Sequence, residues 1–431
     1  MKTYNLGIIG LGTVASGVIE SLEKNGDLFK SRYGVEFNIT KIAVRNLNSE
    51  RLVKVDPSLL TVNPEEVVNH PAVDLVLELM GGEEPARTYV LAALNNGKPV
   101  VTANKALIAE FGPELFAVAA ENSTRIFFEA SVAGGIPVIK ALNEGLSANS
   151  IDAIHGILNG TCNYILSRME AGVPFEKALQ EAQDLGYAEA DPTLDVDGFD
   201  AGHKAAILAS LAYGQWFTKD NVSVKGIRNL DLTDMAFAKE NGYKIKLLAN
   251  IKKTADDSVS IDVQPTLVPQ RSMIGAVSDV YNGIKIKGNV AGETFFYGQG
   301  AGKDATSSAV VADIIDASLC MTLGTLKSFC GFTPFSGAVG PADLSEVDCR
   351  FYFRVVVDDC PKVLAQITGI LGDKGISIAS ITQKEQDEKS VPVVILTHEV
   401  KTSQMDEALE EIGKLEVVRE EPLRFRIEDI N

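Results

Sequence analysis

The chain has four histidines, five cysteines and one tryptophan in 431 residues. His70, His155, His203 and His398 form no His-Glu-x-x-His pattern. Cys162, Cys320, Cys330, Cys349 and Cys360 are odd in number and never fall at the close spacing of a metal knuckle. Neither a zinc site of the common kinds nor a disulfide framework is expected. Positive charge is also in short supply: 40 basic side chains face 58 acidic ones, for a formal net charge of −18. Such a surface repels polyphosphate and anionic lipid, so no nucleic-acid and no membrane partner is expected. The first residues, MKTYNLGIIGLG, read as strand and turn, not as a leader peptide. No apolar run reads as long enough to span a bilayer. A cytoplasmic location is the expectation.

What the chain does have is length and apolar material. Hydrophobic residues make up 45% and charged residues 23%, which is ordinary for globular proteins and enough for two to four domains at about 100–200 residues each. Residues 1–140 alternate β-rich runs (4–9, 39–44, 75–79, 99–102 and 126–129) with helical ones such as 84–95 and 112–121. That alternation predicts an α/β domain with a parallel sheet covered on both faces. Residues 141–302 read as a mixed α+β domain, and 303–325 as a helix that returns to the first domain. A Gly/Pro/Ser-rich stretch, 326–347, reads as a linker. The remainder, 348–431, has the order βαββαβ of a ferredoxin-like module.

Gly10, Gly12 and Ala15 fit G-x-G-x-x-G/A between a first strand and a helix. The pattern serves a tight turn, close backbone approach to a pyrophosphate, and helix-on-strand packing, with N–H groups around Thr13 and Val14 facing the phosphate. The alternative is a bare tight turn. Where an NAD site usually places an acid, at the end of the second strand, this chain has Arg45 and Asn46. Arg45, helped by Arg51 or Lys54, suits a 2′-phosphate and hence NADP, with NAD as the alternative cofactor. A solvated surface arginine is the plain alternative. Lys105 follows the fourth strand, where ligands of such sheets bind; it reads equally as a solvated lysine at a helix start. Asn159, Thr161 and Asn163 suit either a pocket lining or the cap of a helix starting near 163, with Cys162 a small packed residue.

The segment 187–204 holds five carboxylates and ends with Asp200 and Lys204 four residues apart. On one helix their side chains share a face. An ammonium there can give up a proton while carboxylates such as Glu189, Asp195 and Asp200 hold a cationic substrate group. The plain reading is a solvated acidic loop leading into a surface helix, but a lysine in so apolar a helix is costly without a purpose.

These motifs together resemble the homoserine dehydrogenase family: GLGTVASG, ELMGG with EPAR, VTANKALIA, EASVAGGIP, ILNGTCNYIL, LGYAEADP with DVDGFDAGHK, and GQGAGKDAT stand in family order. The tail, through VVVDDCPKVLAQITGIL, resembles an ACT domain. The resemblance implies a Rossmann-type nucleotide-binding domain, a catalytic and dimerisation domain and an amino-acid-binding regulatory domain. The implied reaction is reversible reduction of L-aspartate 4-semialdehyde to L-homoserine with NAD(P)H. It implies Lys204 as general acid and base, Asp200 and Glu189 at the two ends of the substrate, and Lys105 at the cofactor–substrate junction. It places Gly186 and Gly302 near the cofactor. It gives Glu129 and the carbonyls of Val132, Gly134 and Ile136 to a monovalent cation, usually sodium. It further implies a homodimer or homotetramer and threonine as a candidate effector. Departures are Ala15 for the third glycine, His203 where arginine is common, Cys162 where threonine is usual, and Lys362 where glycine often follows Pro361. The competing readings are an oxidoreductase of another small amino aldehyde and a non-catalytic amino-acid sensor.

Overall fold

The computed structural model describes residues 1–430 apart from 330, 336, 338 and 384–388. Cys330 and two further linker positions thus lie outside the described residues. The chain forms two compact regions, Met1–Asp152 with Gly202–Val222 and Tyr281–Val339, and Ala153–Ala201 with Ser223–Val280 and Gly340–Asn431.

In the first region, β1 (Lys2–Ile9), β2 (Val35–Ala43), β3 (Leu60–Thr61), β4 (Leu75–Glu78), β5 (Val100–Thr102) and β6 (Ile126–Phe127) form one sheet. All pair in parallel, in the order β3-β2-β1-β4-β5-β6. The chain winds outward from β1 and then outward again from β4, so the switch point lies between these two strands, and a crevice opens at their carboxyl ends. The covering helices are α1 (Thr13–Tyr33), α2 (Glu65–Val68), α3 (Ala86–Asn95) and α4 (Lys105–Glu121). α4 begins well before the expected 112 and carries Pro113 inside it. Gly112 makes room there for Trp216, whose ring would stand 2.0 Å from an added Cβ. Beyond the sheet, residues 138–145 form only a short helix, α5 (Val138–Lys140), followed by a π-type turn, Ala141–Gly145.

One further helix, numbered α12 in chain order (Lys303–Leu323), sends Val310, Ile314 and Ala317 into the same apolar core as Leu6, Ile8 and Leu77. α1 and α12 approach closely at Gly17, where a Cβ would sit 2.8 Å from Lys303 Cγ. This helix corrects the reading of the apolar runs: it is long and apolar enough to cross a membrane by length and composition, and half of its apolar window is buried inside the protein. Its apolarity serves the sheet core. The same region holds an unanticipated antiparallel hairpin, β11 (Tyr281–Gly288) with β12 (Gly292–Gln299).

The second region is organised around β7 (Ile151–Ile157), β9 (Tyr243–Lys253) and β10 (Val259–Pro269), with the short β8 (Ser223–Val224) beside β10. Its helices are α6 (Gly160–Glu170), α7 (Phe175–Asp184), α8 (Thr193–Val196), α10 (Leu232–Glu240) and α11 (Met273–Ala276); α9 (Phe199–Tyr213) begins here. The expected βαββαβ module follows as β13 (Asp348–Asp358), α13 (Val363–Asp373), β14 (Ile378–Gln383), β15 (Ser390–Thr397), β16 (Val400–Lys401), α14 (Thr402–Gly413) and β17 (Leu423–Ile427). It has its own core of Phe351, Phe353, Ile367, Ile395, Met405 and Ile412 among others. The module is not pendant. β17 lies between β13 and β10, giving a strand order β7-β9-β10-β17-β13-β15-β14. Its link to β10 is parallel, through Thr266↔Arg426 and Leu267↔Ile427. On β13, the Tyr352 hydroxyl and Arg354 Nε both donate to the buried Asp234 of α10, at 3.0 and 2.9 Å.

Candidate active site

The nucleotide loop is made by main chain. After β1, Gly10 adopts φ +94°, and a Cβ there would stand 2.7 Å from Leu79 O at the end of β4. Only glycine fits both conditions. Gly12 caps α1, and nothing lies within 4 Å of where its Cβ would be. Thr13 and Val14 open the helix, and Ala15 is fully buried, so the departure from a third glycine costs no space. A cavity of about 620 Å³ opens at this loop, lined by Gly10, Gly12, Arg45, Asn46, Arg51 and Gly81 among others. Arg45 is exposed and lines it. Arg51 Nη2 donates to the carbonyls of Asn46 (3.1 Å) and Leu47 (2.9 Å), shaping the turn that carries Arg45. Lys54 is not among the lining residues, whereas Glu50, which the sequence reading passed over, is.

Around the switch point the loops are tied by buried polar groups. Glu78 is fully buried, and burial pushes its pKa up. It accepts from Thr102 Oγ1 at 2.7 Å and from the N–H groups of Met80 and Gly81. Asn104 caps α4 and donates to Gly82 O at 2.6 Å. Lys105 is then the first residue of α4, half-buried. A cation opposes the helix dipole at that end, and a bound anion would offset this. Gly302, at φ +110°, caps α12, and the adjacent Lys303, absent from the sequence reading, pairs with Glu20 at 2.6 Å.

In the second region the acidic segment is gathered by one amide. Asn159 caps α6, its Oδ1 accepting from Cys162 N at 2.8 Å. The helix therefore starts at Gly160, earlier than expected, because the cap is Asn159 and not a residue nearer 163. With Oδ1 so engaged, Nδ2 donates to Asp195 Oδ1 at 2.7 Å and to Asp200 Oδ2 at 2.9 Å. Asn159 thus both caps and lines the site, roles that the sequence left as alternatives. Cys162 is buried, its Sγ 3.1 Å from Asp195 O. Thr161 Oγ1 donates to Tyr187 O at 2.7 Å. Asn163 turns away, donating to Asp279 O and accepting from the buried Lys246, whose Nζ also bonds Val277 O at 2.7 Å. Burial, assisted by the charge of Lys244, brings Lys246 down to about 8. Gly186 ends α7 at φ +74°, and Glu189 is exposed. Asp200 and Lys204 lie one turn apart on α9, each only 8% exposed.

The expected cation ligands lie in the first region. Glu129 is buried at the head of a 3-10 turn, not in the strand expected to reach it. Its carboxylate oxygens accept from Ile139 N (2.9 Å) and Lys140 N (2.8 Å), and its own N–H donates to Asp313 Oδ2. Burial first, then the charge of Asp313, pushes Glu129 up to about 7. Val132 and Ile136 are buried, and Gly134 sits at φ +50° against Gly300. Among the described residues no group of three or more His, Cys, Asp or Glu could hold a metal ion.

A doubly wound parallel sheet with a glycine loop at its switch point places the chain in the class of nicotinamide-nucleotide-dependent dehydrogenases. Family models described as "Homoserine dehydrogenase, NAD binding domain", "Homoserine dehydrogenase" and "ACT domain" match residues 10–129, 137–315 and 351–417. The homoserine dehydrogenase of Pseudomonas aeruginosa is 42% identical over the whole of both chains. The crystal structure of a homoserine dehydrogenase from Thiobacillus denitrificans superposes with a TM-score of 0.92 at 40% identity, covering 100% of this chain and 99% of that one. A hyperthermophilic archaeal homoserine dehydrogenase in complex with NADPH gives a TM-score of 0.63 at 29% identity, covering 74% of this chain and 98% of that one. The chain belongs to the homoserine dehydrogenase family, oxidoreductases of amino-acid biosynthesis. Neither competing reading, another amino-aldehyde oxidoreductase or a non-catalytic sensor, finds support in these matches.

Proposed function

We propose that the homoserine dehydrogenase reaction runs here with Lys204 as the proton donor and acceptor at the substrate oxygen, and with the Asn159–Asp195–Asp200 cluster as the substrate seat. That cluster is the observation that carries the assignment: one amide holds two carboxylates together beside α6, a concentration of negative charge suited to an ammonium group. In the direction of reduction, the Lys204 ammonium gives its proton to the carbonyl oxygen of L-aspartate 4-semialdehyde. In reverse, its amine takes the proton from the hydroxyl of L-homoserine. Glu189, which is exposed, holds the remaining polar end of the substrate, and Lys105 is the cation that meets the cofactor.

The nicotinamide cofactor fits the loop: unobstructed space beyond Gly12 and the adjoining cavity leave room for a pyrophosphate against main-chain N–H groups. When bound, it supplies the reducing equivalent. Arg45, lining that cavity, favours NADP over NAD, and a relative has been solved in complex with NADPH. The boundaries 1–140 with 303–325, 141–302, 326–347 and 348–431 then divide nucleotide binding, catalysis with subunit pairing, linker and regulation. An oxygen-only set of Glu129 and three carbonyls suits a hard monovalent cation such as sodium. At the regulatory module Lys362 takes φ +76°, a conformation natural to glycine; threonine is the effector to test first.

The deciding measurement is absorbance at the nicotinamide band with L-homoserine, comparing NADP with NAD, each with and without threonine. Turnover with NADP preferred supports both the substrate seat and Arg45. NAD-preferred turnover retains the enzyme and removes the role of Arg45. Folded protein inactive with both, in the presence of sodium, overturns the assignment.

A further inference from the structure

A buried polar chain crosses four adjacent strands of the second region. Arg426 on β17, 4% exposed, donates from Nη1 to Asp262 Oδ2 on β10. Asp262 Oδ1 accepts from Asn250 Nδ2 on β9 at 3.0 Å and from Gln264 Nε2 at 2.8 Å. Asn250 Oδ1 lies 3.1 Å from His155 Nδ1 on β7. Asp262 and Asn250 are direct cross-strand partners, as are Asn250 and His155, so the three side chains project from one face. All four residues are buried.

The chemistry of the chain has a direction. An ionised Asp262 only accepts, so the Asn250 amide must turn its NH2 toward it and its oxygen toward His155, whose Nδ1 must then carry the proton. Removing Arg426 takes from Asp262 its buried ion-pair partner and leaves it only the Asn250 and Gln264 amides and the nearby Lys225, which is destabilising. The relief open to Asp262 is to move toward its remaining donors, and that shift reaches Asn250 and, through it, His155. Four residues beyond His155 and two past the end of β7 stands Asn159, the amide that gathers Asp195 and Asp200.

We infer that Arg426, although it belongs to the C-terminal module, is a positioning residue for the substrate seat, acting through Asp262, Asn250 and His155 on β7 and Asn159. The inference rests on the role given to Asn159 under the proposed function. It makes the module's last strand a fixed support of the catalytic region, through which displacement of the module would be felt at the substrate carboxylates.

The test uses the full-length protein and two readouts. Amide hydrogen exchange over residues 157–163 is compared in wild type, Arg426→Met, Arg426→Lys and Asn250→Leu. The last cuts the chain in the middle while leaving the Arg426–Asp262 pair in place, and serves if Arg426→Met does not fold. Exchange there should quicken about tenfold in Arg426→Met and in Asn250→Leu, and recover in Arg426→Lys. In parallel, KM for homoserine should rise about fivefold in the same two variants, with kcat and cofactor Kd within about twofold of wild type. Faster exchange confined to 262–268 and 423–428, with 157–163 unchanged, overturns the inference. If wild type fails to oxidise homoserine, the functional reading falls, while the exchange result still decides the positioning claim.

Discussion

At the nucleotide loop the working surface is main chain: Gly10 at φ +94° against Leu79 O, and Gly12 facing open space. At 187–204 it is side chain: two carboxylates held at 2.7 and 2.9 Å by one amide, with a lysine a turn further along α9. The two sites should therefore fail in opposite ways. Truncating side chains should spare the first and cripple the second, whereas adding a single methyl should do the reverse. Lys204→Ala is the most severe test. A positioned proton-transfer group contributes about 10²–10⁴-fold, so kcat should fall by that factor with the circular dichroism spectrum and cofactor Kd unchanged. Turnover within about threefold of wild type would leave the second site without its assigned proton donor.

The opposite failure belongs to Gly10→Ala. The alanine must adopt a left-handed conformation costing about 1–3 kcal/mol, and its Cβ meets backbone atoms of Leu79 and Met80 that cannot swing aside. Cofactor Kd should rise at least about 30-fold, while isothermal titration with homoserine alone stays within about twofold. A variant binding NADP normally would show that the loop relaxes and that backbone fit does not define this site.

The helix capped by Asn159 is also held by a buried charge, Lys246 on Asn163, and that contact reports on pH. Lys246 titrates near 8 in the folded protein against an ordinary 10.5, burial being the main cause, Lys244 adding to it and Glu170 and Asp279 opposing it. Between these values the unfolded chain binds the additional proton, so stability rises with pH across about 8 to 10.5; below 8 the group carries its full burial penalty, which no longer varies with pH. The gain is at most about 3 kcal/mol. Denaturant unfolding of wild type and Lys246→Met at several pH values should show a wild-type excess slope only in that window. Identical slopes would mean that Asn163 is held by a lysine no harder to protonate than one in water.

Asn159→Ser separates the cap from the clamp. A serine hydroxyl can still cap α6 but cannot reach two carboxylates, and a hydrogen bond to a charged group is worth about 1.5–3 kcal/mol. KM for homoserine should rise roughly tenfold, with cofactor Kd unchanged and unfolding midpoint nearly so. A fall in stability without a change in KM would make Asn159 a cap and nothing more. This residue is also one whose second role no local pattern displays. The glycine loop was legible because its constraint is local: Gly10, Gly12 and Ala15 are a few residues apart, and their conformations follow from neighbouring strands. The acidic segment was legible as a charge cluster with Asp200 and Lys204 at helical spacing. What gathers it was not, because Asn159 stands 36 residues before Asp195 and 41 before Asp200, and no period links them. The hairpin at 281–299 was missed because only one of its strands alternates: β11 carries Ile284 and Ile286 in alternation with Lys285 and Lys287, whereas 294–297 in β12 has no period of two and β12 is exposed or half-buried throughout. The sheet shared by β17 and β10 depends on pairing across more than 150 residues, which the linker at 326–347 disguised.

Arg45→Ala is the mildest of these changes and the one most able to blur the contrast, because it asks a side chain to matter at the main-chain site. Arg45 is exposed, on a turn held by Arg51, so water screens any bond it makes and its contribution should fall at the low end of the range for charged hydrogen bonds, about 1.5 kcal/mol. KM for NADP should therefore rise about tenfold, KM for NAD should stay within about twofold, and the NADP effect should shrink as salt is raised from 50 to 500 mM, roughly in step with the shortening Debye length. Equal weakening toward both cofactors would mean that Arg45 shapes the turn and does not read the 2′-phosphate. A loss near a hundredfold would mean that the arginine closes over the phosphate and becomes buried when the cofactor binds, and the nucleotide site would then rest on side chain as much as the substrate seat does.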